Sequence, residues 1–287
     1  MMDFYVILTA SLVAINCALM GSFLVMRKMV MIGDAISHAV LPGIFIAYYL
    51  SGSTASFPIL VGAALSGILA TIMIEWFTKK ARLQSDAAIG VSYTLLFAIG
   101  VILISKFGQN VDLDQECVLY GEIEQIVGWL SPFMGGIMLP KQTIILMGVS
   151  VLLIAAVAWG YKGLFITTFD PNFALSTGVT VTFWHYFLMS GVSLTTVVSF
   201  ESVGAILVIA FLSGPPAIAY LLTEDFKKMM FLACLVGIGC SIGGYYLAQW
   251  IEDVSVSGTI AAVIGAVFVI VFVFTSVIKR KADVISA

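Results

Sequence analysis

An aspartate and a histidine stand four residues apart in an apolar stretch, Met31-Ile-Gly-Asp-Ala-Ile-Ser-His-Ala-Val-Leu-Pro-Gly43. On an α-helix, Asp34 and His38 would lie one turn apart on the same face. A carboxylate and an imidazole placed in this way can bind one metal ion together. The alternative is a histidine that is satisfied by its aspartate neighbour within a packed core. Ionisable groups at membrane depth are costly and usually line a bundle interior or a water-filled path, so we favour a transport site.

The composition predicts that these residues lie in a polytopic membrane protein. Of the 287 residues, 61% are hydrophobic and 10% are charged, and the mean hydropathy is +1.11. A soluble domain has about 45–50% apolar and about 25% charged residues. Nothing in the charge pattern indicates a nucleic-acid surface, and the main surroundings of the chain are expected to be membrane lipid. The four cysteines form no C-x-x-C pair, so we expect them to be small core residues.

Nine apolar runs come near the ~20 residues that a helix needs to cross the hydrocarbon layer. They cover residues 4–26, 33–51, 57–78, 87–105, 143–161, 181–199, 203–222, 229–250 and 257–278. The expected fold class is therefore an all-α, polytopic integral membrane protein with a single transmembrane domain over residues 1–287. Eight spans remain possible, because a re-entrant element at 199–202 could join the sixth and seventh runs.

The basic residues predict the orientation. If the N-terminus is outside, the inner loops contain 11 of the 13 lysines and arginines, and the positive-inside rule supports this arrangement. The outer loop 106–141 contains Asp112 and Asp114, whose carboxylates could concentrate cations at a pore mouth. A solvated loop without this function explains the same charges.

Two inner segments could contact a partner. Residues 168–178 begin like a short helix, with Asp170 as N-cap and a proline at the first helical position. Further on, Gly214-Pro215-Pro216 is expected to break a helix, since proline lacks an N–H and clashes with the preceding turn. The segment 214–228 would then hold a short amphipathic helix on the inner face, although an ordinary interfacial turn fits the same pattern.

Two further ionisable residues fall within or beside apolar runs. His185 is placed near the inner end of its helix, where we expect a structural role. Glu201 is placed near the outer boundary beside a backbone break, where it could cap the break or contact the cation. The sequence leaves these two alternatives open.

Several motifs, taken in order, resemble the membrane permeases of ATP-binding-cassette importers for manganese, iron and zinc, and the resemblance covers almost the whole chain. The matching stretches are Gly21-Ser-Phe-Leu-Val-Met-Arg-Lys28, Gly33-Asp-Ala-Ile-Ser-His-Ala-Val-Leu-Pro-Gly43, Asp86-Ala-Ala-Ile-Gly90, Val111-Asp-Leu-Asp-Gln-Glu-Cys-Val-Leu-Tyr-Gly-Glu-Ile123, Phe169-Asp-Pro-Asn-Phe-Ala174 and Ser199-Phe-Glu-Ser-Val-Gly-Ala-Ile-Leu-Val208. The Leu41-Pro42-Gly43 ending of the second stretch and the fourth stretch itself look like the manganese/iron branch rather than the zinc branch.

The resemblance implies the metal-chelate-type permease fold in a bacterial cell membrane. It also implies a homodimer, a cytoplasmic ATPase dimer and an extracytoplasmic metal-binding protein. The chain has no G-x-x-x-x-G-K-[ST] stretch, so ATP hydrolysis is expected in a separate subunit and not in this chain. The family's pathway ligands correspond to Asp34 and His38, with transported Mn²⁺, or Zn²⁺ or Fe²⁺, and no permanently bound cofactor.

The resemblance places the family's ATPase-docking helix after Gly214-Pro215-Pro216. The expected contact residues are Pro216, Tyr220, Glu224, Asp225, Lys227 and Lys228, with 168–178 as a second contact. Two other functions would leave different signatures. An ATP-independent secondary transporter often has inverted repeats, and an intramembrane metalloenzyme would typically need an H-E-x-x-H pair. Neither signature is evident in the sequence.

Overall fold

The computed structural model describes residues 2–51, 56–107, 130–132, 138–251 and 254–286. Within these residues the chain is almost entirely helical. The helices are α1 (Met2–Met26), α2 (Met31–Ala39), α3 (Leu41–Ser51), α4 (Ser56–Lys79), α5 (Ser85–Phe107), α6 (Lys141–Phe169), α7 (Pro171–Ser176), α8 (Val181–Val203), α9 (Ala205–Leu222), α10 (Phe226–Trp250) and α11 (Val256–Ser286). Two short strands, β1 (Leu130–Pro132) and β2 (Met138–Pro140), pair antiparallel before α6.

By length and composition, the described residues contain nine candidate membrane spans, which confirms the predicted number. The pair α2 and α3 forms one of these spans, Met31–Ser51, whereas the six-residue α7 is too short to cross. The re-entrant element considered at 199–202 is absent from this described segment, because α8 continues as a helix to Val203. Gly204 alone separates α8 from α9, with φ 79° and ψ 167°, a conformation that is open essentially only to glycine.

Helix α1 lies at the centre of the larger of two groups of helices. It packs against α6, α8, α9 and α10, and α11 covers α9 and α10. The side chains of Val13, Cys17 and Phe23 in α1 are fully buried. Lipid tails are as apolar as the side chains, so close packing rather than hydrophobic burial holds such helices together.

Helices α2 to α5 form the second group. Helix α2 contacts α4 and α5 within this group, and it also contacts α8 and α9 of the first group. The helix that carries Asp34 and His38 therefore lies at the junction of the two groups.

The expected helix break at the proline pair is wrong. Helix α9 runs from Ala205 to Leu222 through Pro215 and Pro216, and both prolines are buried. Pro216 has no N–H for the carbonyl of Leu212, and this carbonyl oxygen instead lies directly against Gly21 of α1. Neighbouring helices can stabilise a proline inside a membrane helix in this way, and the sequence pattern does not report such neighbours.

Within the described residues 217–228, the structure shows no separate amphipathic helix after the prolines. Residues 217–222 are the last turns of α9, residues 223–225 form a turn, and α10 begins at Phe226. Asp225 caps α10 by accepting a hydrogen bond from the backbone N–H of Lys227 at 2.9 Å. Asp112 and Asp114 lie outside the described residues, so the prediction for the acidic loop stays a prediction.

Candidate metal site

The helix that carries Asp34 and His38 is interrupted directly after them. Helix α2 ends at Ala39 and α3 begins at Leu41. Pro42 has no N–H, so it cannot donate the helical hydrogen bond to the carbonyl of His38. The carbonyl of Ala39 accepts a hydrogen bond from Oγ of Ser66 in α4 at 2.5 Å. Val40, between the two helices, keeps helical dihedrals (φ −71°, ψ −26°), so the interruption changes only the hydrogen bonds of the carbonyls beside the two ionisable side chains.

The structure confirms that Asp34 and His38 share one face of α2. Nε2 of His38 lies 3.5 Å from Oδ1 of Asp34, and the side chains are 31% and 27% exposed, respectively. This distance is too long for a strong hydrogen bond. Two ligand atoms that are each about 2.0–2.2 Å from one ion, at an angle of about 90–110°, lie roughly 2.8–3.6 Å apart. The pair is therefore spaced to bind a single metal ion without rearrangement.

Contacts on the other faces of α2 place the pair near mid-height of the bundle. Ile36 packs against Gly67, which lies near the midpoint of α4. Gly33 lies against the side chain of Leu212 in α9, and a larger residue at position 33 would collide with it. The rest of α2 is largely buried, so Asp34 and His38 are the polar part of an otherwise packed helix. The site thus lies near the level of the membrane centre.

Helix α5 supplies two aromatic side chains beside the imidazole. The ring of Tyr93 lies 5.8 Å from the His38 ring between centroids, with an interplanar angle of 36°. The ring of Phe97 lies 6.0 Å away at 87°, which is an edge-to-face arrangement. The sequence pattern does not indicate that these two residues lie beside His38, because α5 meets α2 only when the helices pack together.

One copy of the chain brings two candidate ligands, Asp34 and His38, together here. Among the described residues, no group of three or more histidine, cysteine, aspartate or glutamate side chains could hold a metal ion. His185 and Glu201 therefore do not join Asp34 and His38 in one site. Glu201 lies near the outer end of α8, where it is exposed and interacts with Lys141 and Gln142 at the start of α6. This position agrees with the outer-boundary location expected from the sequence.

His185 belongs to a separate group of polar side chains, which we call the inner polar cluster. It consists of Arg27, Glu75, Lys79, His185 and Tyr186, with Thr167 and Thr168 at its edge. Oε2 of Glu75 accepts a hydrogen bond from the Tyr186 hydroxyl at 2.6 Å, and Oε1 accepts one from Nζ of Lys79 at 3.1 Å. Nε2 of His185 lies 3.3 Å from the same Oε1 atom. The cluster joins the inner ends of α4 and α8.

Arg27 connects this cluster to α6. Its guanidinium donates to the hydroxyls of Thr168 at 3.0 Å and Thr167 at 3.1 Å. Nη1 lies 3.5 Å from Nδ1 of His185. A guanidinium can only donate, so Nδ1 is the acceptor in this contact. Burial lowers the pKa of Arg27 to about 10, so it remains charged at neutral pH.

The structural role expected for His185 agrees with these contacts, whereas sequence reasoning missed Glu75. The available signal was an acidic residue inside the apolar run 57–78, one helical turn before Lys79. Basic residues from several predicted inner loops lie at this end of the bundle, including Arg27, Lys79 and Lys227. The ammonium group of Lys227 lies 5.3 Å above the Tyr161 ring. This grouping agrees with the predicted orientation.

The same end of the bundle exposes two candidate docking segments. Helix α7 is capped by Asp170, whose carboxylate accepts from the N–H of Phe173 at 2.9 Å. Phe173 and Leu175 are 54% and 63% exposed. In the segment 214–228, Tyr220, Glu224, Asp225, Lys227 and Lys228 are exposed. Pro216 is buried inside α9, so its expected contact with a docked subunit is wrong.

Comparison with known proteins agrees with this architecture. The family model described as the ABC 3 transport family matches residues 2–275. The chain belongs to this family. It is 44% identical over 281 residues to the manganese transport system membrane protein MntD of Bacillus subtilis, with 96% of this chain and 94% of the relative covered. It is 41% identical over 275 residues to the zinc transport system membrane protein TroD of Treponema pallidum, covering 96% and 74%.

A solved structure of PsaBC from Streptococcus pneumoniae, in complex with Fab, is similar over 93% of this chain and 90% of that chain. The TM-score is 0.78 and the sequence identity is 32%. Family membership confirms the predicted multi-pass permease of an ABC importer in a bacterial membrane. Membership also implies that an ATPase and a substrate-binding protein act together with this family member.

Proposed function

We propose that this ABC 3 family permease carries manganese into the cytoplasm, with Asp34 and His38 as pathway ligands. The observation that carries the proposal is the 3.5 Å pair on α2, beside a helix interruption near the membrane centre. Relatives at 44% and 41% identity are named for manganese and zinc transport, respectively. Manganese is therefore the first candidate for the cargo, with zinc or iron as the alternative.

The donor atoms support a divalent transition metal of borderline or hard character. A carboxylate and an imidazole suit manganese, iron and zinc, whereas thiolates would be expected for Cu(I). Two ligands from one copy are too few for the six that manganese prefers. A homodimer with the site on its two-fold axis would supply two carboxylates and two imidazoles, and water would complete the set.

This arrangement also supplies a release step. If two copies each contribute half of the protein ligands, moving the copies apart halves the number of protein ligands at the ion. The ion then exchanges its remaining ligands for water without any covalent chemistry. ATP hydrolysis in the partner subunits would drive the movement of the two copies, and this chain would act as the transport subunit and not as an enzyme.

For the ATPase contact, we propose α7 together with the exposed part of the segment 214–228. Phe173 and Leu175 present apolar side chains at the basic end of the bundle, and a protein partner would bury them. Tyr220, Lys227 and Lys228 are exposed at the same end. The reversal Lys227→Glu is expected to weaken copurification with the ATPase, whereas unchanged assembly would limit the contact to α7.

For metal delivery, we propose that an extracytoplasmic binding protein loads the outer face. Carboxylates of Asp112 and Asp114 in the outer loop would raise the local concentration of cations there.

The test is uptake into vesicles that contain this chain with its ATPase and binding protein. Radioactive manganese and zinc are supplied separately and in competition, with and without ATP. Asp34→Asn removes the negative charge of the carboxylate, and His38→Gln removes the imidazole nitrogens, both with little change in size, and both are expected to abolish uptake. Asp86→Asn, in the exposed first turn of α5, applies the same chemical change outside the site. Normal uptake by the two site variants would remove these residues from the pathway.

A further inference from the structure

We propose that Arg27 couples the ATPase contact at α7 to α2, the helix that carries Asp34 and His38. Arg27 is a positioning residue, because it touches neither the metal ion nor the nucleotide and acts by making the start of α2 follow the two segments that flank α7. This inference rests on the proposed function, namely on α7 as an ATPase contact and on Asp34 and His38 as pathway ligands.

Arg27 lies in the short linker that leads directly into α2. Helix α1 ends at Met26 and α2 begins at Met31, so residues 27–30 form the whole connection. Asp34 follows Arg27 by seven residues and lies in the first turn of α2. A contact that holds the Arg27 side chain therefore acts close to the start of the helix that carries the candidate ligands.

Backbone hydrogen bonds make this linker stiff. The N–H groups of Lys28 and Met29 donate to carbonyls in the last turn of α1, at 3.0 and 2.9 Å. Lys28 has φ 57°, the left-handed conformation in which helices commonly end. The N–H groups of Ile32 and Gly33 in turn donate to carbonyls of the linker, each at 3.1 Å. A displacement of the linker is therefore carried into the first turn of α2 and is not absorbed by a loose loop.

The guanidinium of Arg27 joins the two helices on either side of α7. Nε donates to Oγ1 of Thr168 at 3.0 Å, and Nη2 donates to Oγ1 of Thr167 at 3.1 Å, both in the last turn of α6. Nη1 lies 3.5 Å from Nδ1 of His185, near the start of α8. The planar guanidinium has donors in several fixed directions, so one side chain can contact both flanks of α7 at once.

Helix α7 is firmly attached to these two flanks. It packs against both α6 and α8, and its Ala174 side chain is fully buried. At its start, the Asp170 carboxylate accepts a hydrogen bond from the N–H of Phe173 at 2.9 Å. At its end, the N–H of Val179 donates to the carbonyl of Ala174 at 2.9 Å. A subunit that moves α7 would therefore move the adjoining ends of α6 and α8, and the guanidinium bonded to them.

The experiment measures metal uptake and ATP hydrolysis in the same vesicles, which contain the complete importer and are supplied with radioactive manganese or zinc. Arg27→Met keeps a long side chain and removes every hydrogen-bond donor. It is expected to lower the number of metal ions imported per ATP hydrolysed at least about fivefold, the lower end of the range usual for coupling between two sites. ATP hydrolysis and copurification with the ATPase should continue.

The ratio of uptake to hydrolysis separates coupling from a purely structural role. A permease that is only less stable leaves fewer working importers, so uptake and hydrolysis fall together and their ratio is kept. An unchanged ratio in Arg27→Met therefore contradicts the proposal, whether or not the two rates fall.

Arg82→Met is the matched control, because it makes the same change at an exposed position in the segment between α4 and α5. The ratio should stay as in the unmodified importer, and an equal fall in this variant would contradict a specific role for Arg27. Thr167→Val with Thr168→Val removes the acceptor oxygens on α6 with little change in size and should also lower the ratio. If Arg27→Met fails to assemble with the ATPase, this double variant decides the outcome.

Two other variants distinguish failure of this inference from failure of the proposed function. Normal uptake by Asp34→Asn contradicts the pathway site, and full copurification of the ATPase with Phe173→Ser/Leu175→Ser contradicts α7 as its contact. Either result also removes the ground for the role of Arg27. If both variants behave as proposed and the ratio in Arg27→Met is unchanged, only the coupling role is wrong.

Discussion

Replacement of Glu75 by glutamine would test the inner polar cluster. The change keeps the shape of the side chain and removes the negative charge that three neighbours share. Those neighbours are the Tyr186 hydroxyl at 2.6 Å, the Lys79 ammonium at 3.1 Å and His185 Nε2 at 3.3 Å. The expected result is a less stable permease whose overall fold is unchanged.

The three interactions differ in strength, which allows an estimate of the magnitude. Lys79 is 69% exposed, so its ion pair with Glu75 contributes about 0–1 kcal/mol. A hydrogen bond to a charged group contributes about 1.5–3 kcal/mol, and the Tyr186 hydroxyl makes one in a partly buried position. A glutamine carbonyl can still accept from Tyr186, so the substitution loses the difference between a charged and a neutral hydrogen bond. We therefore expect Glu75→Gln to destabilise the permease by about 1–3 kcal/mol, mostly through Tyr186 and His185.

The assay is thermal unfolding of the purified permease in detergent. One protein concentration and one heating rate are used throughout, because irreversible unfolding makes the midpoint depend on the heating rate. Tyr186→Phe should reproduce a large part of the effect, whereas Lys79→Met should lower the unfolding temperature only slightly. In the Glu75→Gln/Tyr186→Phe double variant the two effects should be less than additive, since they share one hydrogen bond. Equal destabilisation by Lys79→Met and Glu75→Gln would refute this reasoning.

Three further predictions concern other parts of the chain. Gly204→Ala should destabilise the permease by about 1–3 kcal/mol, because φ 79° and ψ 167° are strained for alanine; thermal unfolding measures the effect, and an unchanged midpoint would contradict it. Phe173→Ser with Leu175→Ser should reduce copurification of the ATPase without changing the unfolding temperature, and full copurification would exclude α7 as a contact. Asp112→Asn with Asp114→Asn should slow uptake at low metal concentration, but not at saturation, if the outer loop gathers cations; equal rates would favour the solvated loop.

The sequence alone predicts the spans and the shared face of the candidate ligands well, because both depend on local pattern. Apolar runs of about 20 residues define the membrane helices, and the i,i+4 spacing places Asp34 and His38 on one face. The structure contains both features where the pattern predicts them. The position of the charges likewise predicts the basic inner end of the bundle.

Features that depend on packing between distant segments were not predictable. Pro215 and Pro216 would break an isolated helix, but α9 continues because its neighbours accept the altered backbone, with Gly21 against the Leu212 carbonyl. Glu75 meets Tyr186 only through contact between α4 and α8. The aromatic residues around His38 come from α5 and are visible only once the helices are packed.

The most direct test of the proposed pathway is uptake of radioactive manganese into vesicles that contain the complete importer, with the Asp34→Asn permease compared with the unmodified one. Uptake is expected to require ATP and to be abolished in the variant, while Asp86→Asn transports normally. Uptake without ATP, or normal uptake by Asp34→Asn, would contradict the proposed pathway.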